Sequence, residues 1–136
     1  MMKKDKKYRK VIILIGLIII LSTGGLAMNY WLRTQEYQNK VKNIVIQEPD
    51  LNKIEDGEYI GKYDVDFINV KVKVTVKNHS INNIKYIYHK NDRGEKASNI
   101  TQDILTKQKV KVDTISGATN SSKVIQKAVE LALTER

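Results

Sequence analysis

An α+β domain preceded by one N-terminal transmembrane helix is the architecture this sequence predicts, with a small antiparallel sheet and central hairpin packed by two helices. Three observations carry that reading. Val11 to Met28 is a run of 18 residues without a charge. Residues 68–77, INVKVKVTVK, alternate strictly between apolar and polar side chains. Residues 121–136, SSKVIQKAVELALTER, place apolar side chains at helical spacing.

The apolar run comes first along the chain. A bilayer core needs about 20 mostly apolar helical residues, and extending the run to Leu32 adds only Asn29 as a strongly polar member. Ser22 and Thr23 can bond back to the helix's own carbonyls, and Tyr30 and Trp31 suit the headgroup boundary. Residues 1–10 form a basic flank with Lys3, Lys4, Lys6, Lys7, Arg9 and Lys10 against Asp5. By the positive-inside rule that flank stays in the cytoplasm, so the anchor at 11–32 is single-pass and the chain exits outward. A cleaved signal peptide is the competing reading, since its apolar stretch is also N-terminal and preceded by positive charge. Both put the remainder outside a bacterial cytoplasmic membrane.

Residues 33–53 read as a stalk: polar with good helix formers at first, then broken at Pro49 and Asp50, with NIVIQ as a short strand. The outer domain runs from 54 to 136. DGEYIGKYDV is a strand signature with Gly61 inside it, carrying Tyr59, Ile60, Tyr63 and Val65. The next strand puts Ile68, Val70, Val72, Val74 and Val76 on one face. Asn69, Lys71, Lys73, Thr75 and Lys77 form the other, a solvated face. KNHS turns the chain into INNIKYIYH, the hairpin partner, with Ile84, Tyr86 and Tyr88 in phase. A helix follows around Ile100, Ile104 and Leu105, capped by Ser98 or Asn99. KVKVDTIS is short and extended. In the last helix Val124, Ala128 and Ala132 form one stripe beside Ile125, Val129 and Leu133, and Ser121 or Ser122 is the natural N-cap.

Composition excludes several functions. With no cysteine there is no disulfide, thiolate metal site or thioether-linked haem. The histidines, His79 and His89, form no metal-ligand spacing, and no catalytic acid–base pair or nucleophilic triad is visible. The formal charge is +9, but residues 1–33 hold +6 of it, leaving only +3 for the rest and little for a nucleic-acid surface.

One stretch, VDTISGATNSS at 112–122, is dense in hydroxyls around Gly117 and opens the last helix. The first N–H groups of a helix lack partners, and the dipole adds partial positive charge there. Such a place favours an anion, phosphate in particular, and Lys123 adds a full charge. On the residues alone, a turn with a serine cap and a phosphate site both stand.

DTISGAT resembles the flavinylation motif of the FMN-binding domain family, which includes the covalently flavinylated subunits of sodium-pumping NADH:quinone reductase and of the Rnf complex. DGEYIGKY resembles that family's opening, VKVTVKNHSINNIKYIYH its hairpin, and DTISGATNSSKVIQKAVELAL its closing loop and helix. The resemblance implies FMN joined through its phosphate to the Thr119 hydroxyl by a dedicated flavin transferase, with FAD as donor and a divalent metal. It implies Asp113, Ser116, Gly117 and Ala118 as motif positions read by that enzyme, Asp113 having a structural turn role as its alternative. The backbone N–H groups of Ser121 and Ser122 would hold the phosphodiester charge. The loop HKNDRGEKAS departs from the Pro/Gly-rich segment many members place beside the ring; His89, Gly94 and Lys96 are its candidates for ring contact. Tyr59, Tyr63, Tyr86 and Tyr88 read as core residues, with flavin stacking as the alternative. The function expected is a membrane-anchored electron carrier rather than an enzyme, fed by a quinol-linked dehydrogenase and delivering to a redox partner protein. A non-flavinylated module of an envelope complex and a noncovalent FMN binder are the rivals.

Overall fold

The computed structural model describes residues 2–90 and 95–135, which divide into two compact units, residues 1–36 and 37–136. Helix α1 (Met2–Lys42) supplies all of the described first unit. Among the described residues it is the one helix long and apolar enough to cross a membrane, with a mean hydropathy of 2.6 over its most apolar window. The Ser22 and Thr23 hydroxyls donate to the Ile19 carbonyl at 2.9 and 2.8 Å, so neither leaves an unpaired donor in the apolar stretch.

The second unit is α+β, as expected. Strands β1 (Gly57–Asp64), β2 (Asn69–Lys77) and β3 (Ser80–Lys90) form one antiparallel sheet in the order β1-β2-β3. The alternation in β2 resolves as the sequence predicts: Val70, Val72, Val74 and Val76 are buried, and the lysines between them lie on the opposite face. The β2–β3 hairpin turns at Asn78 and His79, whose φ values of 52° and 58° are the two positive angles a type I′ turn requires.

Two irregularities in β3 change its phase. The register shifts between Thr75/Val76 and between Lys71/Val72, leaving Asn82 and Ile87 as extra residues. Between the two shifts, from Asn83 to Tyr86 opposite Val72, the strand follows the expected alternation. Past the second bulge Tyr88 faces Lys71 and is 50% exposed, whereas His89 faces Val70 and turns inward. The single phase expected for Ile84, Tyr86 and Tyr88 is therefore broken at Ile87.

Helix α2 (Ile100–Lys107) packs on β3, and α3 (Thr119–Thr134) on β1 and β2. Both apolar stripes of α3 are buried as predicted. Gly61 is where α3 touches β1: a Cβ there would lie 1.9 Å from the Ala128 carbonyl oxygen and 2.8 Å from the Ala132 Cβ. Asn99 is the N-cap of α2 but makes no side-chain capping bond. The N-cap of α3 is Ala118, so neither Ser121 nor Ser122 caps it.

Two extended segments are not strands. Residues 44–48 and 109–115 have no sheet partner, because their polar groups go to side chains. Both Glu48 oxygens accept, one from the Val110 N–H and the other from the Lys111 N–H, each at 2.8 Å. The Gln47 N–H donates to the buried Glu130 carboxylate at 3.0 Å, and Lys127 bonds both Glu130 (2.8 Å) and the Val45 carbonyl (3.1 Å). Part of the segment read as stalk thus lies in this unit. Tyr37 and Val41, an i,i+4 apolar pair at the end of α1, join its core.

Candidate functional site

The loop before α3 is held from beneath by one buried hydroxyl. Ser122, fully buried, accepts from the Ile115 N–H at 3.0 Å and donates to the Ala118 carbonyl at 2.8 Å. Between those anchors Ile115–Ala118 make a turn closed by the Ala118 N–H on the Ile115 carbonyl at 2.9 Å. Gly117 has φ 77° with nothing within 4 Å of where a Cβ would be, so conformation rather than space selects glycine there. Gln126 donates to the Val112 carbonyl, tying the approach of the loop to α3.

This scaffold presents Thr119 outward as the first residue of α3. Its hydroxyl has no hydrogen-bond partner among the described residues. Nor have the backbone N–H groups of Thr119, Asn120 and Ser121, which precede the first helical bond. That first bond runs from the Ser122 N–H to the Ala118 carbonyl at 2.9 Å, so the Ser122 N–H is not free to hold an anion as the sequence suggested. The Ser121 side chain is buried, Ser116 is exposed, and Ala118 is 6% exposed. Asp113 is exposed and, among the described residues, forms no hydrogen bond or ion pair, so no side-chain bond gives it a turn role.

Asn120 links this helix start to the rest of the unit. Its amide donates to the Tyr37 hydroxyl at 3.0 Å, and the Tyr37 ring meets Phe67 edge-on at 5.2 Å. Phe67 sits in the β1–β2 turn, one residue before Ile68 and two before the Asn69–Lys90 pair. Helix start, β1–β2 turn and the end of β3 therefore share one end of the unit. Sequence reasoning missed Tyr37 and Asn120; the signal for Tyr37 was its apolar partner Val41 inside a polar segment.

At that end His89 stacks on Tyr86, ring centroids 5.1 Å apart and planes within 14°. The His89 Nε2 is buried with no partner among the described residues, and burial pushes its pKa below the usual value. The Tyr86 hydroxyl donates to the Ser98 carbonyl at 3.0 Å, and burial pushes its pKa up to about 12, so it stays neutral. Tyr59 and Tyr63 pack against the core, whereas Tyr88 is on the other face of the sheet from α3. Lys96 is exposed beside α2, and Gly94 lies outside the described residues. Among the described residues no cluster of three metal-ligating side chains occurs.

No curated protein and no solved structure matches the chain. The FMN-binding domain pattern matches residues 66–134, just over half of the chain, running from the β1–β2 turn through the hairpin and the Thr119 loop to the end of α3. The chain belongs to the FMN-binding domain family.

Proposed function

We propose that this chain is a membrane-anchored, extracytoplasmic electron carrier whose FMN is attached by a phosphoester to Thr119. The observation that carries the proposal is the exposed, unpartnered Thr119 hydroxyl at a helix start, in a chain of an FMN-binding family. The residues present fit the group. A phosphodiester retains one negative charge, and the N–H groups of Thr119, Asn120 and Ser121 are unpaired donors at the positive end of α3. Gly117 and Ala118 keep the approach to the hydroxyl narrow in bulk. Asp113 and Ser116, exposed on the same loop, are available for reading by the attaching enzyme. The His89 Nε2, buried without a partner among the described residues, could bond the ring only once uncovered.

In the attachment step the Thr119 oxygen displaces AMP from the flavin-side phosphorus of FAD. The hydroxyl proton passes to the transferase or solvent, and the divalent metal belongs to that enzyme. Bound FMN supplies reversible electron storage, while the protein supplies attachment, orientation and electrostatics. Electrons would arrive from a quinol-linked membrane dehydrogenase and leave to a partner protein. The basic flank before Val11 supports an outward-facing domain.

The test is coexpression of the full chain with a flavin transferase, followed by a denaturing gel and intact mass. We expect in-gel flavin fluorescence and a mass gain of one FMN less one water, both absent in Thr119→Ala. Fluorescence that persists in the variant places the flavin elsewhere. Colour released by denaturation means noncovalent FMN, and a colourless product means a non-flavinylated module.

A further inference from the structure

One face of the sheet is covered by α2 and α3; on the other, among the described residues, the end of α1 reaches only one edge, where Lys40 lines a pocket with Asp64, Asn69, Tyr88 and Lys90. The pairing register places Lys62 beside Lys71 and Lys73 beside Lys85 in two adjacent cross-strand rows of the open face. Lys77 and Lys90 extend it, against Glu58 and Asp64 as its carboxylates. Like charges directly opposite each other weaken a sheet. Lys73 meets Glu58 at 3.1 Å, but Lys62, Lys71, Lys77 and Lys85 have no ion-pair partner among the described residues. Between them Ile60, Ile87 and Tyr88 are 55%, 47% and 50% exposed. A face that accepts this repulsion and shows apolar side chains to solvent breaks local rules in the way functional surfaces do.

We propose that this face docks on an anionic phospholipid surface, its lysines meeting headgroup phosphates while Tyr88, Ile60 and Ile87 enter the interfacial layer. Three observations favour lipid over an acidic protein. Every cation on the face is lysine, which snorkels at membrane interfaces and is depleted in protein interfaces, where arginine is enriched. Four residues of chain separate Leu32, the end of the apolar run, from Tyr37, the first residue of the folded unit. A tether that short raises the effective concentration of the surface, so weak docking is populated. Finally, α3 packs on the opposite face, so docking leaves the Thr119 loop open. The proposal rests on the membrane-anchored reading but not on the flavin, so it can fail while Thr119 attachment holds, and the reverse.

The chain has no cysteine, so single reporters are clean. Asn83→Cys on the open face and Gln102→Cys on α2 are each labelled with a donor dye in the full chain. The labelled chains are reconstituted into phosphatidylcholine vesicles with and without phosphatidylglycerol, carrying an acceptor on the headgroups. We expect energy transfer from position 83 to rise severalfold with phosphatidylglycerol and to fall back in high salt. The rise should vanish when Lys62, Lys71, Lys73 and Lys85 are all changed to Gln, and position 102 should not show it. A position-83 signal indifferent to lipid charge overturns the proposal, as does an equal response at 102 or a quadruple variant that behaves as the parent. Crosslinking of position 83 in native membranes to a protein, independent of lipid composition, overturns it in favour of an acidic partner surface.

Discussion

Thr119 and Ser122 are three residues apart on one helix and have opposite fates. The Ser122 hydroxyl is buried and closes the loop with two hydrogen bonds, whereas the exposed Thr119 has no partner for its hydroxyl among the described residues. In the sequence they look alike, and Ser122 even looks like the cap. What separates them is the turn at Gly117, which moves the helix start forward to Thr119 and drops Ser122 into the interior. His89 was similarly ambiguous, since a lone histidine near a strand end is ordinarily unremarkable. Its inward orientation comes from the bulge at Ile87, a register effect with no signature in composition. A consequence can be measured. Burial lowers the folded-state pKa, so the unfolded chain takes up this proton first. Its contribution is intact above the unfolded value of about 6.5 and is lost as pH falls through and below that value. Thermal midpoints should therefore decline between about pH 7 and pH 5.5. His89→Gln should flatten that limb; an unchanged slope would mean other groups control it.

At the level of elements, β2 and α3 were the most legible parts, because each follows one strong period and packs against the other's layer. Val70 to Val76 and the two stripes of α3 are buried as their spacing implies. Legibility failed where partners are distant in sequence. KVKVDTIS has a strand's alternation, but its Val110 and Lys111 N–H groups bond a carboxylate more than sixty positions earlier. The β1–α3 contact was also invisible, although Gly61 marked it as an oddity inside a strand. With the Ala128 carbonyl 1.9 Å from a notional Cβ, even one methyl forces the helix off the sheet. Gly61→Ala should cost at least the 1–3 kcal/mol typical of core overpacking, roughly estimated. Gly117→Ala, with free space but positive φ, should cost only about 1 kcal/mol. Chemical denaturation of both variants checks the order; a reversal would mean that α3 shifts to make room at little cost.

Across the whole molecule, the family pattern begins at residue 66, yet the compact unit begins at Tyr37. The intervening chain is not spacer. It contributes Tyr37 and Val41 to the core and then a strap, residues 44–48, clasped by Glu130 and Lys127 on α3 while its own Glu48 clasps 110–111. Through Tyr37 the end of α1 also reaches Asn120, next to Thr119. The strap thus couples the start of the unit to the approach of the attachment loop. Removing the Glu48 carboxylate leaves two backbone donors without their charged acceptor, for which about 1–3 kcal/mol is the expected loss, since Val110 is buried and Lys111 can turn to water. Hydrogen exchange on Glu48→Ala should show protection lost at Val110 and Lys111 together with residues 44–48, while the β2–β3 ladder stays protected. Glu58→Ala, which removes an exposed partner of Lys73, should change stability by less than about 1 kcal/mol. Equal effects from the two glutamates, or lost protection confined to residues 44–48, would show that the strap lies on the unit without bracing it.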